Sequence, residues 1–360
     1  MSTVPKIERT PMPPGEIAGP SAWYGSELIS SDHWIRTFSD AELAEIDLAV
    51  RSVIERGIEI TKITKSDFPL PQLGPQLDAL RSELLERRGF VLLRGLPVER
   101  YTIEESAVAY YGLGMRFGIS LPQNAKGHVL GHVRDLGYDE AEPKVRIYQT
   151  TARQTFHTDT CDFVSLLCLQ TAKSGGLSSI VSSVTIFNEM LRRRPDLAAI
   201  MFEPIETDRR GEVPLGEKGY YRMPVCNWFE GKLCTLYARR YIESARRFND
   251  VSELTAMQRA ALDLFDEFAN DPRLKLDMEF RCGDIQILHN NQILHDRTAY
   301  EDWPEPERKR HLLRLWLCAP DGRPLPDTFA PRYGSVQIGS PMRGGTRVPG
   351  QIYTAPLEPE

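Results

Sequence analysis

The sequence is short of several things, and each shortage removes a class of function. Its 360 residues include only six cysteines, Cys161, Cys168, Cys226, Cys234, Cys282 and Cys318, and no two form a C-x-x-C pair. That spacing offers neither a zinc ribbon nor a dense disulfide framework. Several sit in apolar runs such as Leu167-Cys168-Leu169, so they are expected to be reduced core residues of a cytoplasmic protein. Cationic residues are in the minority, 44 Lys and Arg against 50 Asp and Glu, giving a net charge of −6. No basic footprint for nucleic acid follows from that balance. No apolar run reaches the roughly 18 residues of a membrane span. Met1 to Gly19 is polar and Pro-rich, lacks the apolar stretch of a secretory signal, and is expected to be disordered or draped over the surface. No internal repeat is visible.

What remains is an ordinary globular composition, 41% apolar and 26% charged. Ser39-Asp40-Ala41-Glu42 is a capping box, and Leu43, Ile46, Val50 and Val53 follow at helical spacing up to Gly57. Pro75 to Arg88 predicts a second helix, with Leu77, Leu80, Leu84 and Leu85 on one face and Gly89 as its stop. A buried strand, Phe90 to Gly95, comes next. Further helices are predicted over Ile103 to Phe117, over Val184 to Arg194 with Pro195 as terminator, and over Ser252 to Asn270 with Leu254, Met257, Ala261, Leu264, Phe265 and Phe268 as its stripe. Strand material occupies Gln154 to Gln170, Ile180-Val181, Ile285 to Leu288 and Leu312 to Cys318. Leu121 to Tyr148 and Glu206 to Tyr237 read as loops, short strands and hairpins.

The chemistry gathers around Phe156-His157-Thr158-Asp159-Thr160. On a strand, residues two apart share a face, so His157 and Asp159 would point the same way. With His295 far downstream they make a 2-His-1-carboxylate set, which suits non-haem Fe(II) and leaves coordination positions open. Singly, each signal is weak: an H-x-D triplet is usually a surface hydrogen-bonding pair, and a lone His a satisfied core residue. His128 and His132, four apart, could be a helical metal pair, but intervening glycines favour a loop. The conjunction carries more weight: a triplet before a Gly-Gly turn, then a Gly-Asp turn, an apolar strand, His295, and the arginines Arg310 and Arg314.

On these segments the chain resembles the taurine dioxygenase/TfdA-like family of Fe(II)- and 2-oxoglutarate-dependent dioxygenases, which includes clavaminate synthase-like enzymes. The resemblance runs from Leu84 to Cys318. It is carried by Phe156-His157-Thr158-Asp159, Ser174-Gly175-Gly176-Leu177-Ser178, Gly283-Asp284 through His289-Asn290-Asn291-Gln292-Ile293-Leu294-His295, and Arg308-Lys309-Arg310-His311-Leu312-Leu313-Arg314.

The resemblance implies that His157, Asp159 and His295 hold the iron and that Arg310 meets the far carboxylate of 2-oxoglutarate, a task suited to a planar, permanently charged guanidinium. Ser178 stands where the family commonly has a Thr for the same carboxylate, with Ser179 beside it as a rival. Arg314, four residues past Arg310, would reach an anionic substrate group or the cosubstrate again. His289 competes with His295, but the family pattern places the ligand at the end of that stretch. Asn290 and Asn291 are read as structural.

The implied reaction couples O2 and the decarboxylation of 2-oxoglutarate to succinate and CO2 with oxidation, most simply hydroxylation, of an unactivated C–H in a small polar or anionic molecule. Desaturation, cyclisation and C–heteroatom cleavage use the same machinery. A cupin-like dioxygenase without 2-oxoglutarate and a non-catalytic metal or metabolite binder are the rival classes. Tyr220 to Cys226, Trp228-Phe229 and Arg239-Arg240-Tyr241 are candidate lid segments, with hairpin packing as the plainer alternative. The expected fold is mainly β with flanking helices around a double-stranded β-helix, or jelly roll. Residues 1–30 are expected to be a flexible segment, and 31–360 one domain with a helical N-terminal layer and a surface-wrapping tail from Pro320. Homo-oligomerisation is compatible with this; nucleic-acid and membrane partners are not expected.

Overall fold

Ser39 opens the first long helix, Asp40–Glu55, by the reciprocal cap anticipated: its hydroxyl accepts from the Glu42 amide and the Glu42 side chain accepts from the Ser39 amide. In this computed structural model, which describes residues 10–139 and 145–359, that helix buries Ile46, Ala49, Val50 and Val53. The second helix, Leu73–Glu86, ends just before Gly89, whose φ of +86° turns the chain into the strand Phe90–Arg94. Ile103–Gly114 is the third, capped by Thr102 and Glu105.

Two sheets face one another behind these helices. The larger has seven strands: Ile35–Thr37, Phe90–Arg94, Ile285–His289, Phe163–Gln170, His311–Cys318 and Ile119–Ser120 in spatial order, with Gly131–Val133 also paired to His311–Cys318. The smaller runs Leu276–Met278, Ser178–Ser182, Ile293–Arg297, Gln154–His157. Alternation along the strands sorts the side chains. Leu313, Leu315 and Leu317 pack outward with the three helices, while Leu312, Trp316 and Cys318 face inward towards Ile180 and Ile293 of the smaller sheet. The outer side of the smaller sheet, Phe156, Val181 and Leu294, is covered by the helices Ser183–Arg193 and Ala256–Asn270. Each fully buried Leu or Ile adds about 1.5–3 kcal/mol, so register is strongly held: a one-residue slip would turn every inward residue out.

Several expectations are corrected. The chain is not mainly β: 30% is helical and 23% strand, because the strands are short and the layers that cover both sheets are helical. Pro195 stops one helix but opens another, Pro195–Ile200, at a position where a missing N–H costs nothing. The late helix begins at Ala256 behind a Thr255 cap, so Leu254 is buried before it and Met257 lies exposed on its surface. Of the segment 1–30, residues 1–9 lie outside the described residues. The rest is packed: Trp23 is buried, its indole N–H donates to the Arg88 carbonyl, and its carbonyl accepts from Thr185. Nor does the tail only wrap the surface. Phe329, Tyr333 and Arg343 are fully buried, because Phe329 and Tyr333 pack against Tyr221, Met223 and Cys234 of the hairpins and Arg343 bonds Asp162.

Candidate metal centre

His157 ends the strand Gln154–His157 and stands opposite His295 of Ile293–Arg297 in register, with ring centroids 4.2 Å apart. Both point between the sheets; their neighbours Phe156 and Leu294 point out. Asp159 departs from the expectation. It lies beyond the strand, in the crossing Thr158–Asp162 that carries the chain from the smaller sheet to the larger. What aims it is a set of hydrogen bonds, not strand alternation. Asn290 accepts from the Asp159 amide at 2.8 Å and donates to the carbonyls of Asp159 and Cys161. Trp316 Nε1 donates to Asp159 Oδ2 at 2.8 Å. Thr158 is pinned to Tyr237 through both its amide and its hydroxyl. Asn290 is thus more than a turn residue: it holds the carboxylate's own peptide.

One ligand atom from each of His157, Asp159 and His295 lies within 4.8 Å of the others, the one such cluster of three among the described residues. His157 Nε2 is 3.8 Å from Asp159 Oδ1 and His295 Nε2 is 3.6 Å from Asp159 Oδ2. His157 Nδ1 meets the Thr155 carbonyl at 2.9 Å, which leaves Nε2 as the ligating atom; the Gln154 side-chain nitrogen lies 2.9 Å from that Nε2. Burial, and then the nearby His295, push His157 down to about 4, so its imidazole is neutral near neutral pH. Burial pushes the Asp159 carboxyl up, but the hydrogen bond and charge of His295, with Arg314 and His157, outweigh it and hold the group below the usual carboxylate range. Neutral imidazoles and an ionised carboxylate are what a metal needs. This N,N,O face fits Fe(II).

The fold brings His295, not His289, to the cluster. His289 is fully buried beside Phe163 with neither ring nitrogen partnered among the described residues. His128 and His132 do not form a metal pair: His132 Nδ1 lies 2.7 Å from His311 Nε2 and its Nε2 lies 2.8 Å from the Pro356 carbonyl.

Inside the same space lie the arginines. Arg310 is 4% exposed; its Nη2 reaches the Gly176 carbonyl at 3.5 Å, and its Nη1 has no partner among the described residues. Gly176 is needed there, since a Cβ would lie 3.0 Å from Arg310 Nε. Ser178 faces inward and bonds Gln286 of the larger sheet, whereas Ser179 turns outward to Asp277. Arg314 bonds Gln123 at 2.7 Å, and its guanidinium carbon lies 4.7 Å from the Tyr148 ring centroid and 5.2 Å from that of Trp316.

The family model for taurine catabolism dioxygenase TauD, TfdA family matches residues 57–316. The chain belongs to the TauD/TfdA family. It is an oxidoreductase that works with iron and 2-oxoglutarate. Among curated TauD/TfdA relatives, it is 30% identical to FR-33289 synthase of Streptomyces rubellomurinus over 330 residues, 90% of this chain and 97% of that one. It is 32% identical over 315 residues to the taurine hydroxylase-like protein SAT17 of Stachybotrys chartarum, covering 84% and 79% of the two chains. The fold matches asparagine oxygenase, solved with Fe(II), 3-hydroxyasparagine and succinate, at a TM-score of 0.61 and 16% identity, over 79% of this chain and 93% of that one.

Of the candidate lid segments, Tyr220–Pro224 is a hairpin strand paired with Pro204–Asp208, and Arg222 is tied to Glu206. The plainer alternative holds for it. Ala238 bridges to His157, but the Arg239 side chain that follows is tied to Glu243, Asp263 and Asp266. Sequence reasoning missed Trp316, Tyr148, Arg297 and Tyr300. Two of these carried a signal: Arg297 stands two residues after His295, and Trp316 two after Arg314, on the same strand faces.

Proposed function

We propose that this TauD/TfdA enzyme hydroxylates an unactivated C–H of a small anionic molecule inside a double-stranded β-helix, with residues 31–360 acting as one cytoplasmic domain. The observation that carries the reading is the His157–Asp159–His295 cluster beside a buried Arg310 with an unpaired N–H. His157, Asp159 and His295 would hold Fe(II). When bound, iron, O2 and 2-oxoglutarate supply the oxidising power, releasing succinate and CO2. The chain's own residues do the rest. Arg310, with Ser178 on the facing strand, receives the distal carboxylate of 2-oxoglutarate. Asn290 and Trp316 fix Asp159 in its ionised, aimed form.

Arg314 receives the substrate's anionic group. Its charge acts on both His157 and Asp159, so it sits beside the reacting position, and it has no carboxylate partner among the described residues. The apolar lining from Leu312, Trp316 and Ile180 excludes water.

A succinate-release screen against anionic metabolites, with Fe(II), ascorbate and 2-oxoglutarate, tests this. Substrate-dependent succinate and an oxygenated product are expected. Turnover that proceeds without 2-oxoglutarate would overturn it.

A further inference from the structure

Arg297 is a buried cation that the assigned roles leave unused. It follows His295 by two residues, shares its inward face and is 6% exposed. In register it stands directly opposite Ser178. One guanidinium nitrogen, Nη2, donates to the Ala152 carbonyl; Nε and Nη1 are buried and meet nothing among the described residues. Its guanidinium carbon lies 4.8 Å from the Tyr300 ring centroid, and that of Arg310 lies 5.1 Å from the same centroid. The Tyr300 hydroxyl is itself buried without a hydrogen-bond partner among the described residues.

None of the carboxylates in electrostatic range forms an ion pair with either guanidinium among the described residues. Asp296 points to the other side of the strand and pairs with Arg153. Asp135 pairs with Lys309. Asp302 Oδ1 accepts from the amides of Trp303 and Arg310, while its Oδ2 is buried and bonds neither guanidinium among the described residues. Two guanidinium groups and a phenol therefore leave buried donors around one spot, and neither guanidinium forms an ion pair among the described residues. Leaving such groups buried and unpaired is costly, so the arrangement asks for an anionic ligand with several acceptor lone pairs.

We propose that Arg297 is a second guanidinium for the distal carboxylate of 2-oxoglutarate, acting with Arg310 and the Tyr300 hydroxyl. A carboxylate has about four lone-pair sites. Arg310 can take one edge, and Arg297 and Tyr300 the remaining lone pairs. Arg297 thereby selects a five-carbon 2-oxo diacid over 2-oxo acids that end in a methyl group. This inference rests on the proposed 2-oxoglutarate role of the site.

The test uses equilibrium binding to the iron-loaded full chain without O2, so no turnover is involved. The probes are 2-oxoglutarate and 2-oxovalerate, in which a methyl replaces the distal carboxylate. The readout is the ratio of the two affinities. In Arg297→Gln the ratio is expected to fall about 10- to 100-fold, with 2-oxovalerate affinity unchanged, because a hydrogen-bonded charge is lost only for the diacid. Tyr300→Phe is expected to lower it by a smaller factor. Should Arg297→Gln fail to fold, Arg297→Lys decides: an ammonium lacks the fork, so the ratio still falls. An unchanged ratio in the folded variant, or an equal loss for both probes, overturns the inference. If it is unchanged here yet collapses in Arg310→Gln, this inference fails alone. Wild-type protein that binds no 2-oxoglutarate would instead overturn the underlying reading.

Discussion

Two buried arginine sites at different ends of the same interior differ in how their charges are met. Arg343, 0% exposed, donates from Nε and Nη2 to Asp162 Oδ1, from Nη1 to the Val336 carbonyl and from Nη2 to the Arg323 carbonyl. Asp162 spends its second oxygen on the Ala319 amide. Arg310 and Arg297 are nearly as deep but keep N–H groups unpaired among the described residues. The first site is closed and structural: it locks the tail against the crossing that carries Asp159. The second is open on the ligand side. Neither burial of a charge nor one leftover donor marks a binding site, since buried Arg209 and Arg323 each keep an unpartnered Nε among the described residues; what sets Arg297 and Arg310 apart is that their leftover donors gather around one ring.

The largest effect should come from the metal cluster that lies between the two sites. Asp159→Ala or His157→Ala removes one of three protein ligands, so Fe(II) content and succinate release should both be lost. Full retention of either would sink the metal assignment. Next in size, Arg343→Leu leaves Asp162 as an uncompensated buried charge, at a cost of about 3–5 kcal/mol. Thermal or urea unfolding should register that loss, while 2-oxoglutarate affinity in the folded fraction stays near wild type. A change in affinity without a change in stability would erase the distinction between the two ends.

Arg310→Ala should do the opposite. Little stability is lost, and the 2-oxoglutarate concentration for half-maximal rate rises about 10- to 100-fold. If only the organic substrate's KM moves, the roles assigned to Arg310 and Arg314 are exchanged. Asn290→Ala, which frees the Asp159 peptide, should weaken iron binding about 10-fold or more, in the range seen for outer-shell partners of metal ligands. Equilibrium iron titration measures it. The smallest effect is on His289→Ala, where iron content should be unchanged; loss of iron there, with iron kept in His295→Ala, would swap the two histidines.

Much of the local structure was legible because it depends on near neighbours. The Ser39–Glu42 cap, the Gly89 turn into a strand and the alternation of Leu312 to Cys318 are short-range rules acting on adjacent residues. The site residues were legible as a set through their resemblance to a family, and the fold does gather His157, Asp159, His295, Arg310 and Ser178 into one interior. The way Asp159 is held was not legible. A strand period was expected to aim it, whereas Asn290 and Trp316, remote in sequence, do so. The tail was misjudged for a related reason: Pro- and Gly-rich composition describes backbone conformation and says nothing of what the chain packs against.

By itself, then, the sequence determined the candidate ligand types, the helix caps and the strand faces, since those follow from residue chemistry and spacings of a few positions. The tertiary structure decided which histidine joins the carboxylate, which serine faces inward, and which arginines remain unpaired. Those outcomes depend on contacts between segments more than a hundred residues apart, such as Asn290 with Asp159, which no local pattern encodes.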